Sequence, residues 1–215
     1  MILAKRLNTR LKHHVLLFFI VAVLLTAFVK AIPGDDLKYL WSMGTGYVSI
    51  ILLAVTLMIG PLNIYAKQLN PISTDLRRDV GIWCGISGLT HVVIGIQVHM
   101  GNIMLYFFKA VHGENSYKLR DDLFGLSNYT GLIAGLLLLI LLILSNDISL
   151  KWLKAKRWKS IQRWNYFLFL FVLGHSIMYQ IIEKRIAPII IVFSIIMLLP
   201  IIAQGIGISI VKRSK

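Results

Sequence analysis

Two of the six histidines in this chain lie inside apolar runs, where an imidazole is unexpected. His91 lies 11 residues into the run 80–99, and His175 lies 12 residues into the run 163–182. A polar ring in hydrocarbon is costly, so such residues usually face the interior of a helical bundle and mark a functional site. A neutral imidazole is also a common protein ligand for metal ions. These two histidines are therefore the first candidates for chemistry.

Both runs are predicted to enter a membrane from the same side, which places His91 and His175 at similar depth at about 1.5 Å of helical rise per residue. Two imidazoles at one depth on adjacent helices can ligate one iron from opposite faces of a porphyrin. Alternatively, each ring hydrogen-bonds a neighbouring carbonyl. Glycines at helical spacing favour the ligand interpretation, because they leave a groove with room for a flat group. They are Gly81, Gly85, Gly88 and Gly95 around His91, and Gly174 beside His175, with Gly88, Gly95 and Gly174 taken as cofactor-binding.

The other four histidines carry weaker signals. His99 follows His91 by eight residues, on the same face of a continuous helix and roughly 12 Å further out. It could ligate a second, outer cofactor, bond a propionate, or simply meet the membrane interface. His13 and His14 lie among lysines and arginines and are predicted to be solvated or to face headgroups, and His112 is predicted to be exposed.

Composition points to a membrane protein. Of 215 residues, 57% are hydrophobic and 15% charged, and the mean hydropathy is +0.76, which a soluble domain rarely tolerates. The net charge of +14 lies in short clusters between apolar runs, a pattern typical of positive-inside topology and not of a nucleic-acid surface. Cys84 is the only cysteine, so no intrachain disulfide or thiolate cluster can form.

Six apolar segments predict an all-α, integral membrane six-helix bundle forming a single domain over 1–215. Of the 23 Lys and Arg, 16 fall on one side of the predicted membrane, so both termini are expected in the cytoplasm, with a bacterial inner (cytoplasmic) membrane as the location. The first segment could instead be a cleaved signal peptide, but Lys30 to Pro33 is a poor cleavage site, which favours a retained helix. The segments are roughly 13–32, 46–66, 80–99, 127–145, 163–182 and 186–210.

Two connections have character of their own. The outer connection begins with Ile103 to Val111, which is apolar and aromatic enough to predict a short helix lying at the interface. The inner stretch Lys151 to Arg163 alternates basic residues with tryptophans. This pattern is typical of an anchor on anionic lipid headgroups, and it could equally dock an acidic flavoprotein.

Several short motifs, in this order and topology, resemble the ferric reductase-like transmembrane domain superfamily. The resemblance covers roughly residues 46–210. The residues that carry it are Leu76-Arg77-Arg78-x-x-Gly81 opening the third segment, His91, Trp158-x3-Gln162-Arg163-x2-Tyr166 opening the fifth, and His175.

The resemblance implies a six-helix bundle holding b-type heme between the third and fifth helices, with His91 and His175 as axial ligands. Many members hold two hemes, but here Gln162 and Arg77 stand where the inner ligands are expected. Neither is a usual iron ligand, so one heme is expected and a second is doubtful. No G-x-G-x-x-G follows a predicted strand, so electrons are expected from a separate flavoprotein dehydrogenase, from quinol in the bilayer, or from a larger membrane complex.

The sequence is therefore interpreted as a heme b membrane electron-transfer subunit that catalyses nothing alone. The alternative is a redox-inactive accessory or scaffold subunit of a larger membrane complex. A transporter is a third interpretation, disfavoured because the apolar spans contain no central acidic or basic residue besides the two histidines.

Overall fold

The computed structural model describes the backbone of residues 2–66, 72–111 and 116–213, and the side chains from residue 6 in the first range and from residue 75 in the second. Long runs of Leu, Ile and Val form helices because, in lipid, a helix satisfies every backbone N–H and C=O internally. These helices are α1 (Ile2–Ala31), α2 (Leu37–Tyr65), α3 (Ile72–Gly95), α4 (Leu123–Ile143), α5 (Asp147–Gln162), α6 (Asn165–Ile182) and α7 (Ala187–Arg213).

Polar side chains mark where several helices begin. Asp36 accepts a hydrogen bond from the Lys38 amide at 2.9 Å before α2, and Asp122 accepts one from the Gly125 amide at 2.8 Å before α4. Such caps satisfy amides that have no partner inside the helix. The prediction of an all-α fold is confirmed, with one short β-hairpin as the exception.

Within the described ranges, five helices are long and apolar enough to cross a membrane: α1, α2, α4, α5 continuing into α6, and α7. The chain therefore has the helices of an integral membrane protein. The α3 helix, 24 residues long, is not among them. Its first turns carry Asp75, Arg77, Arg78 and Asp79, which leaves a shorter apolar part.

Each of the six predicted segments contains a helix, but two boundaries differ in ways that matter. The segment predicted to reach residue 99 ends at Gly95. The stretch 147–162, predicted as a connection, is itself the helix α5. Asn146 caps its start, and the Asn146 side chain accepts from the Ser149 amide at 2.7 Å. It is interrupted at Lys154, where φ is 59°.

The α2 helix is the centre of the packing. It contacts α1, α3 and α7 along its length, while α4 packs on α6 and joins the group through α3. Val48, Leu57 and Leu168 are among the most deeply buried apolar side chains. The two helices that carry His91 and His175, α3 and α6, are not a closely packed pair. They face each other across a gap whose walls are α2 and α4.

The connection between α3 and α4 covers one end of this gap, and its residues Tyr106 and Phe107 line the cavity there. Ile103–Tyr106 forms one turn of 3-10 helix, and β1 (Phe108–Ala110) then pairs antiparallel with β2 (Tyr117–Leu119). The prediction of an interfacial helix reaching Val111 is therefore wrong beyond Tyr106. The Tyr129 hydroxyl donates to the Phe107 carbonyl at 2.7 Å, and the Arg120 amide donates to the same carbonyl at 2.9 Å, which holds the hairpin on α4.

Candidate functional site

A cavity of about 190 Å³ lies between α2, α3, α4 and α6. Its walls are largely apolar, and both His91 and His175 line it. A concave, mostly apolar pocket with a few convergent polar groups is the usual form of a cofactor site. The end of this cavity near the connection between α3 and α4 is called its outer end here, and the polar side chains there include Tyr39, His99, Tyr179, Gln180 and Arg185.

His91 is held against α2 by one of its ring nitrogens. Its Nδ1 lies 2.7 Å from the Ser42 carbonyl oxygen. A carbonyl can only accept, so Nδ1 carries the proton and Nε2 of the neutral ring has a free lone pair. Gly46, one turn further along α2, makes this approach possible, because a Cβ there would lie 3.0 Å from Nδ1.

His175 repeats this arrangement on the other side of the cavity. Its Nδ1 lies 2.8 Å from the Ser127 carbonyl oxygen of α4. Gly131 follows one turn later, and a Cβ there would lie 2.6 Å from Nδ1. The Nε2 atom of His175 is again the nitrogen left with a lone pair.

The two anchoring helices share a short sequence pattern that was not among the predicted motifs. Both read Ser-x-x-Thr-Gly, at residues 42–46 in α2 and 127–131 in α4. In each copy the threonine hydroxyl also bonds the serine carbonyl, at 3.0 Å for Thr45 and 2.8 Å for Thr130. The pattern supplies a carbonyl that accepts from an imidazole and a glycine that lets the ring approach. Because this pattern occurs twice in the sequence, its repetition is the signal from which the two anchoring sites could have been predicted.

The two imidazoles face each other. Their ring centroids are 6.2 Å apart, with 74° between the planes. A metal ion bonded to both Nε2 atoms at about 2 Å would separate these nitrogens by about 4 Å, and the centroids by roughly 6 Å once each ring's radius is added. The observed spacing suits a shared metal. Within the described ranges, no cluster of three or more His, Cys, Asp or Glu side chains could hold a metal, so an ion here needs ligands that it brings with it.

The predicted glycines have more than one function. Gly88 and Gly95 line the cavity. Gly85 instead packs α3 on α4, since a Cβ there would lie 3.0 Å from Leu142. Gly174 is not part of the cavity wall, and a Cβ on it would meet nothing within 4 Å.

His99 does not continue the face of His91, because α3 ends at Gly95. The Tyr106 hydroxyl binds the end of the helix. It donates to the Gly95 carbonyl at 3.0 Å and accepts from the His99 amide at 2.9 Å. The prediction that His99 lies on the same helical face as His91 is therefore wrong. Its Nε2 pairs with Glu183 Oε1 at 3.1 Å, and its ring stacks on Tyr179 with centroids 5.9 Å apart.

His13 and His14 are not simply solvated, contrary to prediction. Both contact Asp79, whose side chain is fully buried: His13 Nδ1 at 3.0 Å and His14 Nε2 at 3.4 Å. Arg10 adds a hydrogen bond to the same carboxylate at 2.6 Å. A buried carboxylate attracts any nearby nitrogen donor because it is costly without partners. His112 lies outside the described residues.

The residues at the expected inner ligand positions lie away from the cavity wall. Gln162, at the end of α5, has a buried side-chain nitrogen with no hydrogen-bond partner in the part of the chain that the structure describes. Arg77 lies near Gly60 of α2, where a Cβ would be 3.6 Å from its Nη1. Neither residue lines the space between His91 and His175.

No protein-family model matches this chain, and no curated protein matches it. The resemblance to the ferric reductase-like superfamily therefore stays a prediction from its motifs. The geometry of the histidine pair is the basis on which a function can be proposed.

Proposed function

We propose that this protein is a heme b electron-transfer subunit of a membrane oxidoreductase system, with His91 and His175 as the two axial ligands. One observation carries the proposal. Two imidazoles on helices that are not closely packed face each other at 6.2 Å, and each is bound through Nδ1 to a carbonyl of a neighbouring helix.

The Nδ1 anchors bear on the alternative that the histidines are only structural. A structural histidine needs the carbonyl bond and no more. Here both histidines also line a cavity, and neither Nε2 has a hydrogen-bond partner among the residues described. Metal-ligating histidines almost always donate the other ring N–H to a carbonyl or carboxylate, which fixes the tautomer and the ring orientation.

The surroundings fit a flat, apolar group with polar edges. Gly, Leu, Val and Ile supply much of the cavity wall, and Tyr39, Tyr179, Gln180 and Arg185 add polar groups at its outer end. Because two imidazoles face each other here, an iron that brings four further ligands of its own is the matching metal. Heme b, when bound, would supply a one-electron couple, and histidine at both axial positions favours outer-sphere electron transfer over substrate binding at iron.

The membrane setting of the proposal follows the charge distribution. We infer six spans in a bacterial inner membrane with both termini in the cytoplasm, because basic residues concentrate on one side. The α5 surface offers exposed Lys151, Lys156 and Arg157, together with Trp152, which is 79% exposed. These side chains can contact anionic lipids or an acidic flavoprotein, and quinol is the other proposed source of electrons.

The purified protein's visible spectrum tests the proposal directly. We expect a low-spin spectrum that sharpens at the α band on reduction with dithionite, and one heme per polypeptide by pyridine hemochrome. One heme is expected because Gln162 and Arg77 stand at the inner positions. Two hemes per chain would contradict the single-site proposal, and a protein without any heme would support the scaffold alternative.

The orientation has its own test. Reporter fusions after Lys215 and within residues 113–122 are expected on opposite sides of the membrane. Finding both reporters on the same side would contradict the six-span arrangement without bearing on the heme.

A further inference from the structure

A buried cation lies at the outer end of the histidine cavity. Arg185 follows α6, its side chain is only 5% exposed, and it lines the same cavity as His91 and His175. Burying a charge is costly unless it is paired and hydrogen-bonded. The hydrogen-bond and ion-pair partners of this guanidinium therefore show how far its charge and its N–H donors are satisfied.

In the part of the chain that the structure describes, those partners use only two of the N–H donors of the guanidinium. Of five N–H donors, one binds the Tyr39 hydroxyl and one binds the Met43 sulfur at 3.0 Å, a weak acceptor. The guanidinium also lies over the Tyr39 ring, 5.2 Å from its centroid. Among the described residues, the carboxylate nearest to the guanidinium is that of Glu183, which is 3.8 Å away and is shared with His99. Within this part of the chain, Arg185 has donors and charge to spare for an anion.

The position of Arg185 ties it to the histidine pair. Tyr39 and Met43 flank Ser42 on α2, and the Ser42 carbonyl is the anchor of His91. The guanidinium therefore contacts two side chains from the stretch of α2 that contains this anchor. A flat group held between the two imidazoles would present its outer edge to Arg185.

We propose that Arg185, supported by Tyr39, binds a carboxylate of the cofactor that occupies this cavity, namely a porphyrin propionate. Resting on the proposed heme function, this assigns the cofactor's orientation, with the propionates toward the outer end. An arginine fork suits a carboxylate because it can donate two parallel N–H bonds. A lipid phosphate could offer similar chemistry from outside, and the experiment separates the two sources.

The experiment compares two hemes that differ only in their carboxylates. Heme-free protein in detergent is titrated with hemin and with hemin dimethyl ester, and the two dissociation constants are read from the Soret band. Charge-assisted hydrogen bonds contribute roughly 1.5–3 kcal/mol, so we expect the wild-type preference for hemin over the ester to exceed that of Arg185→Met by about tenfold or more. Arg185→Lys should retain part of the preference.

The matched control is Lys184→Met. It removes one positive charge from the neighbouring residue, whose side chain is exposed, and should keep the wild-type preference. Tyr39→Phe should reduce the preference less than Arg185→Met, because the guanidinium itself remains.

The outcomes separate the two proposals. If wild type and Arg185→Met show the same preference, or if Arg185→Met weakens both hemes equally, Arg185 does not bind a propionate, and this inference fails while the heme site stands. Loss of co-purified lipid with an unchanged heme preference would likewise overturn it in favour of a lipid phosphate. A wild type that binds neither heme overturns the proposed function and this inference together. Should Arg185→Met fail to fold, the ratio measured with Arg185→Lys and Tyr39→Phe decides.

Discussion

The protein contains two pairs of histidines that differ in what their nitrogens contact. His91 and His175 donate through Nδ1 to backbone carbonyls, and both line the cavity. His13 and His14 instead converge on a buried carboxylate, that of Asp79. In addition, the Trp83 indole donates to His14 Nδ1 at 3.2 Å, so both nitrogens of His14 are occupied.

The difference shows that burial does not by itself identify a ligand histidine. Asp79 is buried at the base of α3 and draws Arg10 and both histidines of α1 to itself, which fastens α1 to α3. His91 and His175, called the outer pair below, are each anchored by a neutral carbonyl. Such an anchor leaves the imidazole neutral and one of its lone pairs free. A neutral imidazole with a free lone pair can bind a metal ion. An imidazole that is bonded to a carboxylate, as in His13 and His14, instead stabilises the packing of α1 on α3.

The largest expected effect is on the outer pair. His91→Ala or His175→Ala should lower heme affinity more than about 100-fold or convert the iron to high spin, since loss of second-shell partners alone costs roughly 10–100-fold. The measurement is the Soret and α bands of the purified variants. Imidazole added to the corresponding Gly variants should restore a low-spin spectrum.

His13 and His14, the pair that contacts Asp79, provide the control. His13→Ala and His14→Ala should leave the band positions unchanged, because neither ring reaches the cavity. His99→Ala tests the assignment from the other side. Loss of heme in that variant but not in His91→Ala would show that His99, beyond the end of α3, is the ligand in place of His91.

The second effect concerns stability and belongs to the inner cluster. Asp79→Ala leaves Arg10 without its close partner and should cost about 3–5 kcal/mol of unfolding free energy, as broken buried ion pairs do. Asp75→Ala is the matched control, because its partner Arg6 is 43% exposed and such pairs contribute about 0–1 kcal/mol. Denaturation midpoints in detergent measure both. Equal costs would show that burial of Asp79 is not what distinguishes the cluster.

A smaller effect is expected at the glycine that admits His175. Gly131→Ala places a Cβ 2.6 Å from Nδ1 and must displace the ring, at a cost of about 1–3 kcal/mol for overpacking. We expect weaker heme binding or partial high-spin character in its titration. Gly174→Ala has open space around the new Cβ and should match wild type. A normal Gly131→Ala spectrum would show that the ring position is not set by α4.

The smallest effect is at the roof over the cavity. Asp122 caps α4, and the Arg120 guanidinium holds the pKa of this carboxyl below its usual value. Its contribution should be present at neutral pH and be lost as the pH falls through the lowered pKa. Asp122→Ala should cost about 1 kcal/mol locally. Hydrogen exchange at the Gly125 amide measures both, and unchanged protection would rule out the cap.

Much of the architecture could be predicted because it depends on local patterns. Apolar runs of sufficient length form helices wherever the backbone must satisfy itself in lipid, and each predicted segment contains one. His91 and His175 could be paired from their positions in the chain, since helical rise converts residue number into depth. In the fold their rings do come together, with centroids 6.2 Å apart.

Other features could not be predicted because they depend on long-range partners. His99 leaves the helical face because the Tyr106 hydroxyl, reached through the outer connection, binds the last turn of α3. His13 and His14 are drawn inward by Asp79, 66 residues away from His13 in sequence. Sequence spacing carries no signal for such contacts.

The sequence by itself determined that this is a helical protein with spans apolar enough for a membrane, because hydropathy is a local property. It also predicted two imidazoles at similar depth, because helical rise converts residue number into height. Only the tertiary structure decided which nitrogen of each imidazole is free, because the anchoring carbonyls of Ser42 and Ser127 belong to other helices. It also placed Arg185 at the edge of the same cavity. Those contacts arise from packing between distant segments.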